Sequence, residues 1–142
     1  MYRPIVAITI GDVAGIGPEI IVKKFVKEDI LAWCRSFVLG ETQILKKALD
    51  LLSSSVKVMR RGSVEEMKFK EGEIEVIDFR FVKSSALRAG FEDAEYGEAA
   101  VEYTKIACQL ALDGKIEAMV SAPLNKESMR MAGCKYEGPQ RL

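Results

Sequence analysis

Residues 5–19 read IVAITIGDVAGIGPE: a short apolar run, three glycines in seven positions, then proline and glutamate. The continuous run, rich in β-branched residues, predicts a strand that is buried on both faces. Pro18 suits the first position of a helix, because its fixed φ and missing N–H cost nothing there. Glu19 suits the positive end of the helix dipole. The stretch therefore predicts a strand, a tight turn and a helix in direct succession.

The same alternation continues along the chain. We predict strands over 5–10, 35–39, 56–59, 74–79 and 116–120, and helices from Pro18, over 42–52, over 94–112 and from Asn125 to Met131. Thr42 is a plausible N-cap, and Trp33 is expected to anchor the core. Strands that alternate with helices favour an α/β fold with a mostly parallel sheet and helices on both faces.

The composition excludes several classes of function. The 142 residues include 21 basic and 21 acidic side chains, so no nucleic acid or anionic membrane is expected as a partner. The run at 5–10 is far shorter than the roughly 20 residues of a membrane-spanning helix. Three separated cysteines, with no signal peptide before them, indicate reduced thiols in a cytoplasmic protein.

The chain contains no histidine. It therefore lacks the commonest transition-metal ligand and the one side chain that ordinarily titrates near neutral pH. A general base would have to be a carboxylate, lysine or cysteine with a shifted pKa. The residues alone predict no metal site.

The glycine turn at 11–17 has two possible roles. A helix that starts with uncovered N–H groups, here near Gly15 and Gly17, is a ready anion site. The spacing G-x-x-x-G-x-G, however, is neither the dinucleotide fingerprint nor a P-loop. Glycine also permits positive φ and close packing, and the residues alone favour that explanation. Asp12 is either a functional carboxylate or the acceptor of an Asx turn.

A second candidate stretch is VSAPLNKESMRMAG at 120–133. A strand ends at Ser121, Pro123 breaks it, and Asn125 and Lys126 stand at the start of the next helix. Ligands of open α/β sheets bind at the carboxyl ends of strands. Lys126 could hold a phosphate or a carboxylate as a point charge, or it could be a solvated lysine.

These stretches resemble the 4-hydroxythreonine-4-phosphate dehydrogenase family of pyridoxal 5′-phosphate (vitamin B6) biosynthesis. The resemblance is carried by ITIGDVAGIGPEI (8–20), VLGE (38–41), IDF (77–79), YGEAAVEYTKIACQLALDGKIEAMVSAPLNKESMRMAG (96–133) and YEGPQRL (136–142). The motifs follow the family's order over essentially the whole chain. Val13 departs from the proline that the family usually has in the turn.

The resemblance implies part of an isocitrate/isopropylmalate dehydrogenase-like fold. It implies NAD- or NADP-dependent oxidation of 4-phosphohydroxy-L-threonine, or of a related four-carbon phosphorylated hydroxy acid, followed by decarboxylation. It also implies a divalent metal (Zn, Mg or Co) and a homodimer. Five positions are carried over as substrate-binding candidates: Asp12, Gly15, Gly17, Asn125 and Lys126.

The last motif departs from the family. Family members resemble Gly-His-Thr-Glu at this point, and Pro139 and Gln140 stand where the substrate-contacting His-Thr pair would be. The family's three metal-binding histidines are expected further along. We therefore expect residues 1–142 to be the N-terminal portion of the dehydrogenase, without the C-terminal metal- and cofactor-binding part and inactive alone.

Two other hypotheses stay open. The chain could be a non-enzymatic α/β module that binds an anion or a partner subunit. A complete small enzyme that uses Asp12 or Lys126 ranks last, because nothing gives it a base, metal or cofactor cradle. Self-association is expected in either of the leading cases, since the buried-looking strands would otherwise expose apolar surface.

Overall fold

Strands and helices alternate in the computed structural model, which describes residues 1–135. The strands are β1 (Ile5–Thr9), β2 (Arg35–Gly40), β3 (Lys57–Arg61), β4 (Glu73–Asp78) and β5 (Ala118–Ser121). The helices are α1 (Gly17–Lys27), α2 (Ile30–Trp33), α3 (Thr42–Asp50), α4 (Ala94–Leu112) and α5 (Lys126–Met131). Short 3-10 turns lie at Val64–Glu66 and Ser84–Ala86.

All five strands form one parallel sheet in the order β3-β4-β2-β1-β5. The first strand is therefore internal. It pairs with β2 on one side, where Ile5 lies opposite Arg35, and with β5 on the other, where Val6 lies opposite Ala118. The mostly parallel sheet predicted from the alternation of elements is confirmed.

Helices cover both faces of the sheet. Because side chains alternate along a strand, Val38 packs into the cluster that contains α1 and α3, whereas Phe37 and Leu39 pack on the opposite side. There they meet Ala107 from the second half of α4. This two-sided burial explains why β1, which lies inside the sheet, is an almost continuous apolar run.

The longest helix begins and ends where the sequence predicts. The carboxylate of Asp93 caps α4 by accepting a hydrogen bond of 2.8 Å from the amide of Glu95. Gly114 follows the helix with a φ of +71°, a conformation that costs glycine little. Both ends are therefore fixed by local chemistry.

Two local predictions were wrong. Thr42 is the first residue of α3 and not its N-cap, a position that Glu41 occupies without capping the helix. Trp33 does not anchor the core: it ends α2 with 73% of its surface exposed, and Leu31 is the buried residue of that turn. Within residues 1–135 no helix has the length and apolarity needed to span a bilayer.

Candidate functional site

The two stretches singled out from the sequence meet at the carboxyl edge of the sheet. The glycine turn follows β1, and residues 122–125 follow the neighbouring strand β5. From β1 the chain passes through α1 to β2 in one direction along the sheet, whereas it reaches β5, on the other side of β1, from β4 in the opposite direction. Neighbouring strands whose connections leave in different directions open a crevice, which is where α/β sheets bind ligands.

Asp12 lies in this crevice with only 8% of its surface exposed. Its amide donates a hydrogen bond of 2.9 Å to the carbonyl of Pro123, which ties the two stretches together. Its Oδ1 accepts a hydrogen bond of 3.1 Å from the amide of Ala14. The Asx turn that the sequence allowed is therefore formed, and the second carboxylate oxygen is directed toward Gly15.

The structure also brings Asn125 to Asp12. Burial raises the pKa of the Asp12 carboxyl, and nearby Glu92 acts in the same direction. Hydrogen bonds from the Ala14 amide and from the Asn125 side chain lower that pKa. Asn125 also accepts a hydrogen bond of 2.9 Å from the amide of Ser128 and so caps α5. One side chain thus positions both the carboxylate and the helix.

Close packing accounts for the glycines of the turn. A Cβ on Gly17 would lie 2.5 Å from the carbonyl oxygen of Ile10, and one on Gly15 would lie 2.9 Å from Oδ2 of Asp12. Gly11, the first glycine of the turn, has a φ of +72°, and a Cβ there would lie 2.5 Å from the carbonyl oxygen of Pro123. A binding role for Gly15 and Gly17 stays a prediction.

Lys126 is the first residue of α5 and is exposed. For residues 1–135, the structure shows no acceptor for its ammonium group. It follows Asn125 directly in the chain, and the buried carboxyl group of Asp12 lies at the same edge of the sheet. Pro139 and Gln140, the other predicted substrate positions, lie outside the described residues.

These residues do not fit a divalent metal or a dinucleotide. Residues 1–135 contain no group of three or more Cys, Asp or Glu side chains that could hold a metal ion, and the chain has no histidine. At the glycine turn, the Asp12 carboxylate lies against Gly15, where a pyrophosphate would otherwise approach. Two negative groups at that distance repel each other.

A second polar centre, around Glu41, was not predicted from the sequence. Its Oε1 accepts hydrogen bonds from the Tyr103 hydroxyl, from the Phe81 amide at 2.9 Å and from the Val82 amide at 3.4 Å. Burial raises the pKa of Glu41, whereas these donors lower it. Glu41 lies in the VLGE motif, but its partners are 40 or more residues away and give no local signal.

Known proteins match this chain along most of its length. The family model described as "Pyridoxal phosphate biosynthetic protein PdxA" matches residues 32–142. D-threonate 4-phosphate dehydrogenase of Cupriavidus necator is 39% identical over 137 residues, which are 96% of this chain and 41% of that protein. The 4-hydroxythreonine-4-phosphate dehydrogenase of Desulforapulum autotrophicum is 34% identical over 140 residues, with 99% and 41% covered.

A solved structure gives the same result. The crystal structure of a 4-hydroxythreonine-4-phosphate dehydrogenase from Burkholderia phymatum superimposes with a TM-score of 0.92 at 37% identity, covering 97% of this chain and 42% of that one. The chain thus spans about two fifths of the length of these relatives. The fold is part of the isocitrate/isopropylmalate dehydrogenase-like architecture, and the chain belongs to the PdxA family of pyridoxal phosphate biosynthetic proteins.

Proposed function

We propose that this chain is part of an NAD(P)-dependent dehydrogenase. The substrate would be 4-phosphohydroxy-L-threonine or a related four-carbon phosphorylated hydroxy acid, such as D-threonate 4-phosphate, which would be oxidised and then decarboxylated. Family membership supports the reaction class. The observation that carries the assignment to these residues is the meeting of Asp12 and Asn125 beside Lys126 in the β1/β5 crevice.

Each residue would have a distinct role. The ammonium of Lys126 would hold the phosphate or carboxylate of the substrate as a point charge. The Asp12 carboxylate would accept a hydrogen bond from a substrate hydroxyl, a contact favoured in a site with little water. Asn125 would orient Asp12 through its side-chain hydrogen bond.

Catalysis would require cofactor- and metal-binding groups in addition to the residues described for 1–135. The nicotinamide cofactor and the divalent metal implied by the family find no matching donor set among residues 1–135. We therefore place neither group on the described residues and expect the isolated chain to be inactive. Incubation with D-threonate 4-phosphate, NAD or NADP, and Mg²⁺, Zn²⁺ or Co²⁺ tests this, and any formation of reduced cofactor would contradict it.

Substrate binding can be tested separately from turnover. Titration calorimetry should detect D-threonate 4-phosphate binding to the isolated chain, and Lys126→Gln should weaken it about tenfold, as expected for a lost charge-assisted hydrogen bond. Lys23→Gln, an exposed lysine on α1, is the matched control. Equal binding by both variants would show that Lys126 does not contribute to substrate binding.

A second candidate function is a module that pairs with a partner subunit. One observation favours it: an apolar groove of ≈330 Å³ lies between α1 and the strands β1 and β5. Ile20 and Val120 on its border are 38% and 54% exposed. Exposed apolar patches of this kind mark interaction surfaces, so a dimer or higher self-association is the expected form.

A further inference from the structure

A second crevice opens at the carboxyl edge of the sheet, between β2 and β4. The connection after β2 leads through α3 to β3 at one end of the sheet, whereas the connection after β4 leads through α4 to β5 at the other end. Glu41 and Thr42 line one wall, Asp78 and Arg80 the other, of a groove of ≈550 Å³. Small-molecule sites commonly have about 300–1,000 Å³ and lie at such crevices.

The groove carries an excess of positive charge. Four cationic side chains line it, namely Lys46, Arg60, Arg80 and Lys83, against the two carboxyl groups of Glu41 and Asp78. The side chain of Asp78 is only 8% exposed, and one of its oxygens lies 3.9 Å from Nε of Arg60 and 4.0 Å from Nε of Arg80. The side chains of Arg60 and Arg80 are 53% and 69% exposed.

The remaining groups add to this excess. In the described part of the chain, neither Lys46 nor Lys83 has an acceptor for its ammonium group. Oε1 of Glu41 is already engaged by three donors, and burial raises the pKa of this carboxyl group. Ser84 and Ser85 also line the groove. The buried carboxylate of Asp78 thus lies near the guanidinium groups of both Arg60 and Arg80. The ammonium groups of Lys46 and Lys83 have no carboxylate partner among the described residues.

We propose that the β2/β4 groove binds the phosphate group of a small phosphorylated molecule. Arg60 and Arg80 present planar forks that suit phosphate oxygens, and Lys46 and Lys83 add point charges. The groove is larger than one phosphate requires, so a nucleotide-sized ligand fits it. The proposal does not rest on the dehydrogenase assignment, because it uses a different crevice and different residues.

Calorimetric titration of the full chain with ADP, inorganic phosphate and adenosine tests the proposal. ADP should bind and adenosine should not, and affinity for ADP should fall with added salt because exposed charges are screened. The double variant K46Q/K83Q should bind ADP at least about tenfold more weakly. It breaks no contact in the described residues, so folding should be unaffected. The control K57Q/K70Q removes the same charge elsewhere and should bind as the parent does.

The outcomes separate the possible sources of the phosphate. Tighter binding of ADP than of inorganic phosphate supports a nucleotide-sized ligand, whereas equal binding supports a site for the phosphate group alone. Absence of binding by both anions overturns the proposal. Equal weakening by K46Q/K83Q and by K57Q/K70Q also overturns it, because attraction would then be a property of overall charge.

Discussion

Glu41 shows how a single buried carboxyl group can organise three separate segments. Its side chain follows β2, accepts hydrogen bonds from the backbone after β4 and meets the hydroxyl of Tyr103 on α4. Burial is the larger cause of the raised pKa of Tyr103, and the hydrogen bond to Glu41 raises this pKa further. Buried polar groups stabilise a fold only when each has its partner, so removal of one donor should be costly.

Tyr103→Phe removes the hydroxyl donor and keeps the ring. We expect a loss of about 1–3 kcal/mol in the free energy of unfolding at pH 7, because a buried, charged acceptor then lacks a donor. The loss should shrink below pH 4, where Glu41 is protonated. Urea unfolding at both pH values measures it, with Tyr2→Phe as an exposed control. Equal losses at both pH values would mean that the ring's packing, not the carboxylate, was disturbed.

Glu41→Gln tests in which direction the free energy of unfolding changes with pH because of this carboxyl group. Because burial raises the folded-state pKa of Glu41 above its ordinary value of 4.5, its stabilising effect is complete below that pH. The effect is lost as the pH rises through the folded-state pKa. The glutamine variant should not show this loss. Free energies of unfolding measured from pH 3 to 8 should therefore diverge in favour of the variant, and parallel curves would contradict the assignment.

Among the elements, the contact between α4 and α5 is unusually tight. A Cβ on Gly97 of α4 would lie 2.0 Å from the carbonyl oxygen of Ser128 in α5. Ser128 in turn accepts a hydrogen bond of 3.1 Å from the amide of Asp93 through its hydroxyl. The position of α5, and with it that of Asn125 and Lys126, therefore depends on a glycine in a different helix.

Gly97→Ala separates this packing from helix propensity. Alanine alone would stabilise the helix by about 1 kcal/mol, but forcing the helices apart should cost more, about 1–3 kcal/mol net. Thermal unfolding measures the sign. Gly62→Ala, whose Cβ would meet only the end of the flexible Glu66 side chain, is the control. A stabilised Gly97→Ala variant would show that α4 and α5 are not in contact.

Sequence reasoning succeeded where the determining contacts are local. The helix predicted over 94–112 is found as α4, because the groups that set its bounds, including Asp93 and Gly114, lie within the helix or next to it. The pairing of Asp12 with Asn125 was not predicted, because the two stretches were considered separately and their meeting depends on β1 lying beside β5.

Prediction from the sequence failed where the contacts of a residue are with distant parts of the chain. Thr42 matched the N-cap preference, but Glu41 holds that position because its carboxylate serves Phe81 and Val82. Trp33 is apolar and large, yet the short helix α2 turns it outward. The cations of the β2/β4 groove come from α3, from β3 and from the loop after β4, so no single window of sequence contains them.

For the molecule as a whole, the sheet ends abruptly at β5. In the described structure this strand pairs only with β1, and its burial pattern alternates between exposed and intermediate positions. The apolar groove beside it is bordered by Val120 and Pro123. An edge strand with an exposed apolar face is a template for association, which agrees with the self-association expected from the sequence.

Val120→Lys tests association through this edge. Analytical ultracentrifugation should show a concentration-dependent dimer for the parent chain and a monomer for the variant, because a lysine would place a charge on the apolar border. Val120 is half exposed, so the fold should tolerate the change. Leu112→Lys, at the exposed end of α4, is the matched control. Monomers at all concentrations in the parent would refute the prediction.

The internal position of β1 has a consequence for synthesis on the ribosome. Its partner β2 emerges soon after it, but β5 follows only about 110 residues later. At translation rates of about 5–20 residues per second, one side of β1 stays unpaired for roughly 5–20 s. Nascent chains arrested before Ala118 should be cut by protease within β1, and chains arrested well past Ser121 should resist. During this stage the nascent chain therefore exposes an unpaired edge of β1 to which chaperones can bind.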